Sequence, residues 1–202
     1  MSSAAVQKEI DQSRQFGEQL EEVVVSKKQF PVGDRNVLLI AYWALIFDYH
    51  KGILALLQSE LCGAAFALVR PVVEAVVRAH VAVKGSEEDL KRIQSDEYTV
   101  NFKQIGPRID ADFGLGQLME KFLSDVTRSA LHSYTHSGLL QLGRRFDGDD
   151  IKPSYSGEEI VEVVRVTSSA VFMVTNLVTK HFGFEDDWKR VNETFAEWGK
   201  HA

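Results

Sequence analysis

The chain has 202 residues, 45% of them hydrophobic and 26% charged, with a formal net charge of −6. That length and balance describe one soluble domain with room for a real core, and the acidic surplus argues against a whole-surface nucleic-acid binder while leaving room for a small basic cleft. The single cysteine, Cys62, excludes an intrachain disulfide and a cysteine-built zinc site; lying in an apolar run, it reads as a buried, inert thiol.

No basic segment followed by an apolar one opens the chain, so no secretory signal is expected. The longest apolar run, 37–47, is short against the roughly 20 residues of a membrane span, and Asp48, His50 and Lys51 follow it. These features lead to the expectation of a cytoplasmic protein without a membrane partner.

In chain order, residues 4–28 carry Val6, Ile10, Phe16, Leu20 and Val24 among charges, an amphipathic helix within the segment 1–30. Pro31, Gly33 and Asp34 break it. A second helix, 36–60, is apolar on nearly every side and therefore buried. At 100° per residue His50 projects among Trp43, Ile46, Leu54 and Leu57, toward the core, while Asp48 and Lys51 are spaced to pair.

The third helix, 61–83, is the element around which the rest is arranged. It is apolar all round except for Arg70, Glu74 and Arg78, which share one face at i, i+4 and i+8. Pro71 lies inside it; its missing N–H frees the carbonyl of Ala67, and the chain either kinks there or starts a new helix at Pro71. Ser86 with Asp89 forms an N-cap ahead of a weaker helix carrying Leu90, Ile93 and Val100. Gly106, Pro107, Asp110 and Gly114 predict a loop over 105–114.

A fifth helix spans 115–137, with an apolar face of Leu115, Leu118, Met119, Phe122 and Val126. Ser129 and Ser133 fall in that face; Asp125, His132 and His136 border it. Gly138 ends it, with Leu139, Leu140 and Leu142 expected to pack beyond. Residues 143–156 read as a polar surface loop whose Asp147, Asp149 and Asp150 lack calcium-loop spacing. Ser156 and Glu159 make a capping box for a core helix over 157–181. The tail, 184–200, carries Phe184, Trp188, Val191, Phe195 and Trp198 as an aromatic stripe that either packs on its own domain or forms a dimer seam. No strand signal and no repeat are present. The expectation is an all-α fold: a single domain, 1–202, built as a helical bundle of four or five long helices with additional short ones.

Two constellations carry chemistry. Arg70–Glu74–Arg78 reads either as mutual neutralisation that fixes helix packing or as an anion site, in which Arg70 offers its fork of donors and Glu74 holds it in place. Arg128, His132 and His136 are spaced at i, i+4 and i+8. Two such histidines suit zinc only with a third ligand, which His50 or Glu74 would supply through tertiary contact; otherwise one is a general base tuned by Glu74 or Asp125, or both are core-edge hydrogen-bonders. No metal and no cofactor is expected: Gly114-x-Gly116 is not a dinucleotide loop, and no Walker sequence or serine-hydrolase elbow occurs.

The segments Asp48-Tyr-His50-Lys51, Ala65-Phe-Ala-Leu-Val-Arg70-Pro71-Val-Val-Glu74-Ala75-Val-Val-Arg78 and His132-Ser-Tyr-Thr-His136-Ser-Gly138 resemble a bacterial family of helical proteins known only as a domain of unknown function. The likeness runs over about 35–180 and implies an all-α bacterial protein without an assigned activity. A looser resemblance is to HEPN domains, helical bundles that often act as RNases and place Arg, a short spacer and His on a late helix. Here the spacer from Arg128 is three residues to His132, shorter than that pattern, and seven to His136, longer than it.

The expected site joins the second, third and fifth helices. Arg70, His50 and Tyr134 are its ligand-binding candidates, and His136, Glu74 and His132 its catalytic ones. The expected partner is a small anionic or nucleotide ligand, or an RNA phosphodiester. The alternative is a non-enzymatic, homodimeric interaction protein in which the cluster only fixes helix packing.

Overall fold

In the computed structural model the apolar run around Arg70 is one helix, unbroken by its proline. Residues 2–27, 29–113, 119 and 125–200 are described, without the side chains of 102 and 125–128. The elements in order are α1 (Ser3–Val25), α2 (Asp34–Gln58), α3 (Cys62–Lys84), α4 (Glu87–Gln94), α5 (Phe102–Phe113), α6 (Asp125–Thr135), α7 (Leu139–Gly143), β1 (Phe146–Asp147), β2 (Asp150–Ile151), α8 (Gly157–His181) and α9 (Glu185–Gly199). The fold is all-α. Its only sheet among the described residues is the two-residue hairpin of β1 and β2, with Phe146 opposite Ile151 and Asp147 opposite Asp150.

The helices form where pattern and caps agree. The Ser86 hydroxyl accepts from Asp89 N at 3.1 Å while Ser86 N donates back to Asp89 at 3.0 Å, which opens α4. Ser156 and Glu159 open α8 in the same reciprocal way, at 3.2 and 2.8 Å. α2 packs most extensively on α3, and α8 touches α1, α2, α3 and α9. α2 and α8 are each long and apolar enough, at a mean hydropathy of 1.4, to cross a membrane. Over that stretch 72% of α8 is buried among the other helices, so its composition is that of a central core element.

A polar seam runs through the core where α8 meets α1 and α2. The Ser13 and Ser168 hydroxyls are 2.6 Å apart and fully buried. Trp43 Nε1 donates to Thr175 Oγ1 at 3.3 Å, and His50 Nδ1 lies 3.3 Å from Thr167 Oγ1. Small hydroxyls here let the helices approach closely and satisfy the polar groups they bury.

The tail helix closes on its own domain. Phe195 stacks on Phe172 with centroids 3.9 Å apart, Trp198 stacks on Phe16 at 5.0 Å, and Val191 is fully buried. Of the two readings of the aromatic stripe, these contacts are those of packing on the parent domain.

Several sequence expectations are corrected. The loop expected at 105–114 is helical through Phe113, because Ile105 and Ile109 are buried and hold the helix despite Pro107. Leu139, Leu140 and Leu142 do not pack inward; they are 84%, 52% and 55% exposed. Lys51 pairs with Glu21 at 2.6 Å across to α1 rather than with Asp48. The apolar face expected at Leu115, Leu118 and Phe122 lies outside the described residues.

Candidate functional site

α6 runs antiparallel to α3, and the contacts along that pair build the site. Thr135 Oγ1 reaches the Ala67 carbonyl, the one Pro71 cannot serve, at 3.4 Å and shares its proton with the Leu131 carbonyl at 2.9 Å. One turn along α3, Arg70 Nε donates to Glu74 Oε1 at 2.8 Å and Nη1 donates to His132 Nδ1 at 2.5 Å. Guanidinium has no acceptor, so His132 Nδ1 is the acceptor and its ring proton sits on Nε2. The His136 ring packs against His132 with centroids 4.4 Å apart.

Of the expected site residues, the structure brings Arg70, Glu74, His132 and His136 together. The Arg70 and Glu74 side chains are 25% and 28% exposed, so the pair sits at a wetted edge rather than in a sealed core. Arg70 uses two of its five N–H groups, which leaves three without a partner among the described residues. The His132 Nε2–H and both His136 ring nitrogens have no hydrogen-bond partner there either. No group of three or more His, Cys, Asp or Glu among the described residues could hold a metal ion.

His50, Tyr134 and Arg78 have different surroundings. His50 is 1% exposed, between Thr167 of α8 and Gly17 of α1. Burial pushes its pKa down to about 4, opposed by the nearby Ser13 carbonyl. It is a neutral core histidine whose contacts include no member of the Arg70 cluster. Tyr134 packs on Phe66 with centroids 5.4 Å apart, and its hydroxyl accepts from Arg144 Nε at 3.3 Å. Arg78 does not serve Glu74: it lies over the Tyr98 ring at 5.8 Å, and its charge acts on Tyr42, whose pKa burial raises against that pull.

Two groupings escaped the sequence reading. Arg144, in the stretch read as a plain loop, also pairs with Glu159 of the capping box and donates to the Ser154 carbonyl at 3.3 Å. It ties the loop to the start of α8. Tyr155 packs on Phe66 beside it with centroids 4.8 Å apart. The signal is the Arg144-Arg145 pair followed by Phe146, which composition alone reads as turn. His80, 1% exposed on α3, meets Asp112 of α5 at 2.6 Å, and burial lowers its pKa against the pull of that carboxylate. Its partner lies 32 residues on, so spacing could not pair them. Cys62 is buried, which raises its thiol pKa, as expected of an inert cysteine.

No curated protein and no solved structure matches the chain. A family model described as "Family of unknown function (DUF6988)" matches residues 43–200, the stretch that holds α3, α6 and every residue of the Arg70 cluster. The chain therefore belongs to this family of unknown function.

Proposed function

We propose that Arg70, Glu74, His132 and His136 form a binding site for a phosphate-bearing ligand such as a nucleotide or RNA. The observation that carries the reading is the set of uncommitted donors. Among the described residues Arg70 keeps three N–H groups, His132 presents Nε2–H, and His136 lies against it with both nitrogens unpartnered. A phosphate oxygen pair suits such a fork, and a partly wetted edge admits the ligand without first burying an unpaired charge. Glu74 is the positioning residue: it holds Nε and so sets the plane of the guanidinium. If the bound ligand reacts, His136 is the group placed to take or give a proton, since its ring nitrogens are not spent on any of the described residues.

The test is titration calorimetry of the whole protein with inorganic phosphate, AMP and a short single-stranded RNA as separate probes. Arg70→Ala is expected to weaken binding at least tenfold, about 1.4 kcal/mol, with little change in melting temperature for a pair this exposed. Arg70→Lys is expected to fall nearly as far, because an ammonium cannot serve Glu74, His132 and a ligand together. Binding unchanged in Arg70→Ala removes the site. A large loss of stability in that variant, with no binding of any probe by the parent, favours the second reading. In that reading the Arg70–His132 contact only fixes α6 on α3.

A further inference from the structure

Ten large apolar side chains are exposed among the described residues, and five of them lie between 139 and 151. Leu139 is 84% exposed, Leu140 52%, Leu142 55%, Phe146 49% and Ile151 82%. Leu61, 54% exposed, joins them, because Gly63 beside it receives Gln141 Nε2 on its carbonyl at 3.0 Å and carries the Arg145 guanidinium. Scattered exposed leucines need no explanation, but five within one short stretch of chain, 139–151, are a concentration that points to an interaction surface.

The hairpin gives that surface a definite construction. Phe146 and Ile151 are register partners, so their side chains share one face; Asp147 and Asp150 share the other, where Lys152 bridges them at 2.9 and 3.6 Å. Gly148, at φ +63°, makes the turn. A two-stranded ribbon leaves its outer backbone edges unpaired, which is a template for adding another strand. Arg145 at the stem and Asp149 at the tip carry opposite charges, and neither has an ion-pair partner among the described residues.

We propose that this face is where two copies of the chain associate, hairpin against hairpin, across a two-fold axis. Antiparallel juxtaposition sets the stem of one ribbon against the tip of the other. Arg145 of each copy then meets Asp149 of its mate, and the apolar faces cover one another. A self-complementary patch of both charge signs fits a second copy. It fits an anionic membrane poorly, since Asp147, Asp149 and Asp150 offset the cations and the whole chain carries −6. Six exposed apolar side chains are far fewer than the roughly 20–30 residues per partner of a standard interface, so the dimer is reversible and weak, about micromolar.

Sedimentation equilibrium of the full chain from about 1 μM to about 500 μM spans that range. The expected result is a monomer–dimer equilibrium. Leu139→Glu or Ile151→Glu is expected to weaken it at least tenfold with an unchanged melting temperature, since both side chains are more than 80% exposed. Asp149→Arg weakens it, and Asp149→Arg combined with Arg145→Asp restores it, a recovery that loss of apolar contact alone would not produce. A monomer at every concentration overturns the proposal, and so does a dimer indifferent to these changes. Monomer that sediments with phosphatidylcholine vesicles, and ceases to in Ile151→Glu, also overturns it and assigns the face to a membrane.

Discussion

His50 is a titratable ring held almost dry where α1, α2 and α8 meet, and that makes it a pH-dependent element of stability. In the unfolded chain its pKa is near 6.5, and in the folded protein burial lowers it to about 4. A group with a depressed folded pKa contributes most above its unfolded value. As pH falls below about 6.5 the unfolded state takes up the proton first, and stability declines until about pH 4, where the folded state titrates too. The interval of about 2.5 units corresponds to about 3 kcal/mol, of which about 2 kcal/mol is already lost by pH 5. Because the ring is 1% exposed, solvent screening does not reduce this figure much. His50→Gln retains a polar side chain of similar reach but cannot titrate. Urea unfolding of both proteins at pH 7, 6 and 5 is expected to give parent stability that falls about 2 kcal/mol further than that of the variant. His80, also depressed by burial, is common to both and cancels in the comparison. Parallel stability curves would refute the reasoning, because they would mean that His50 keeps its ordinary pKa and is not desolvated.

Two further expectations concern close approaches. A Cβ at Gly17 would stand 2.7 Å from His50 Nε2 and 3.0 Å from Cδ2, so Gly17→Ala is expected to cost about 1 kcal/mol net, despite about 1 kcal/mol of helix propensity gained. In a His50→Ala background the same change is expected to stabilise, and thermal melts of the four proteins in that cycle decide the matter. Thr135→Val removes the hydroxyl shared by the Leu131 and Ala67 carbonyls. It is expected to cost about 1 kcal/mol and to loosen the His132 ring; an unmoved His132 ring-nitrogen NMR shift would contradict this.

The long helices were legible because their apolar periodicity and caps pointed the same way. Ser156 with Glu159 marks the start of α8 as clearly in the letters as in the fold. The i, i+4 spacing of Arg70 and Glu74 also survives, since neighbours on a helix are fixed by its geometry. What spacing could not reach was tertiary choice. His50 projects toward the core in both readings, but which core groups it meets depends on how α1 and α8 are laid against α2, and they meet it with Gly17 and Thr167 rather than with Arg70. Pro107 looked like a loop marker, yet burial of Ile105 and Ile109 outweighs one lost backbone bond. Leu139 and its neighbours look like core by composition, and only the path of the chain after α6 leaves them in water.

Pro71 illustrates how a defect in one helix can act as an alignment mark for another. An alanine there would return to the Ala67 carbonyl its partner within α3 and make that helix sturdier on its own. The same repair would make the Ala67 carbonyl divide its two lone pairs between the restored N–H and the Thr135 hydroxyl, and the hold on α6 one turn from where His132 meets Arg70 would slacken. Local stability and site alignment therefore pull in opposite directions at this residue. A better helix here would be a less well-aimed one.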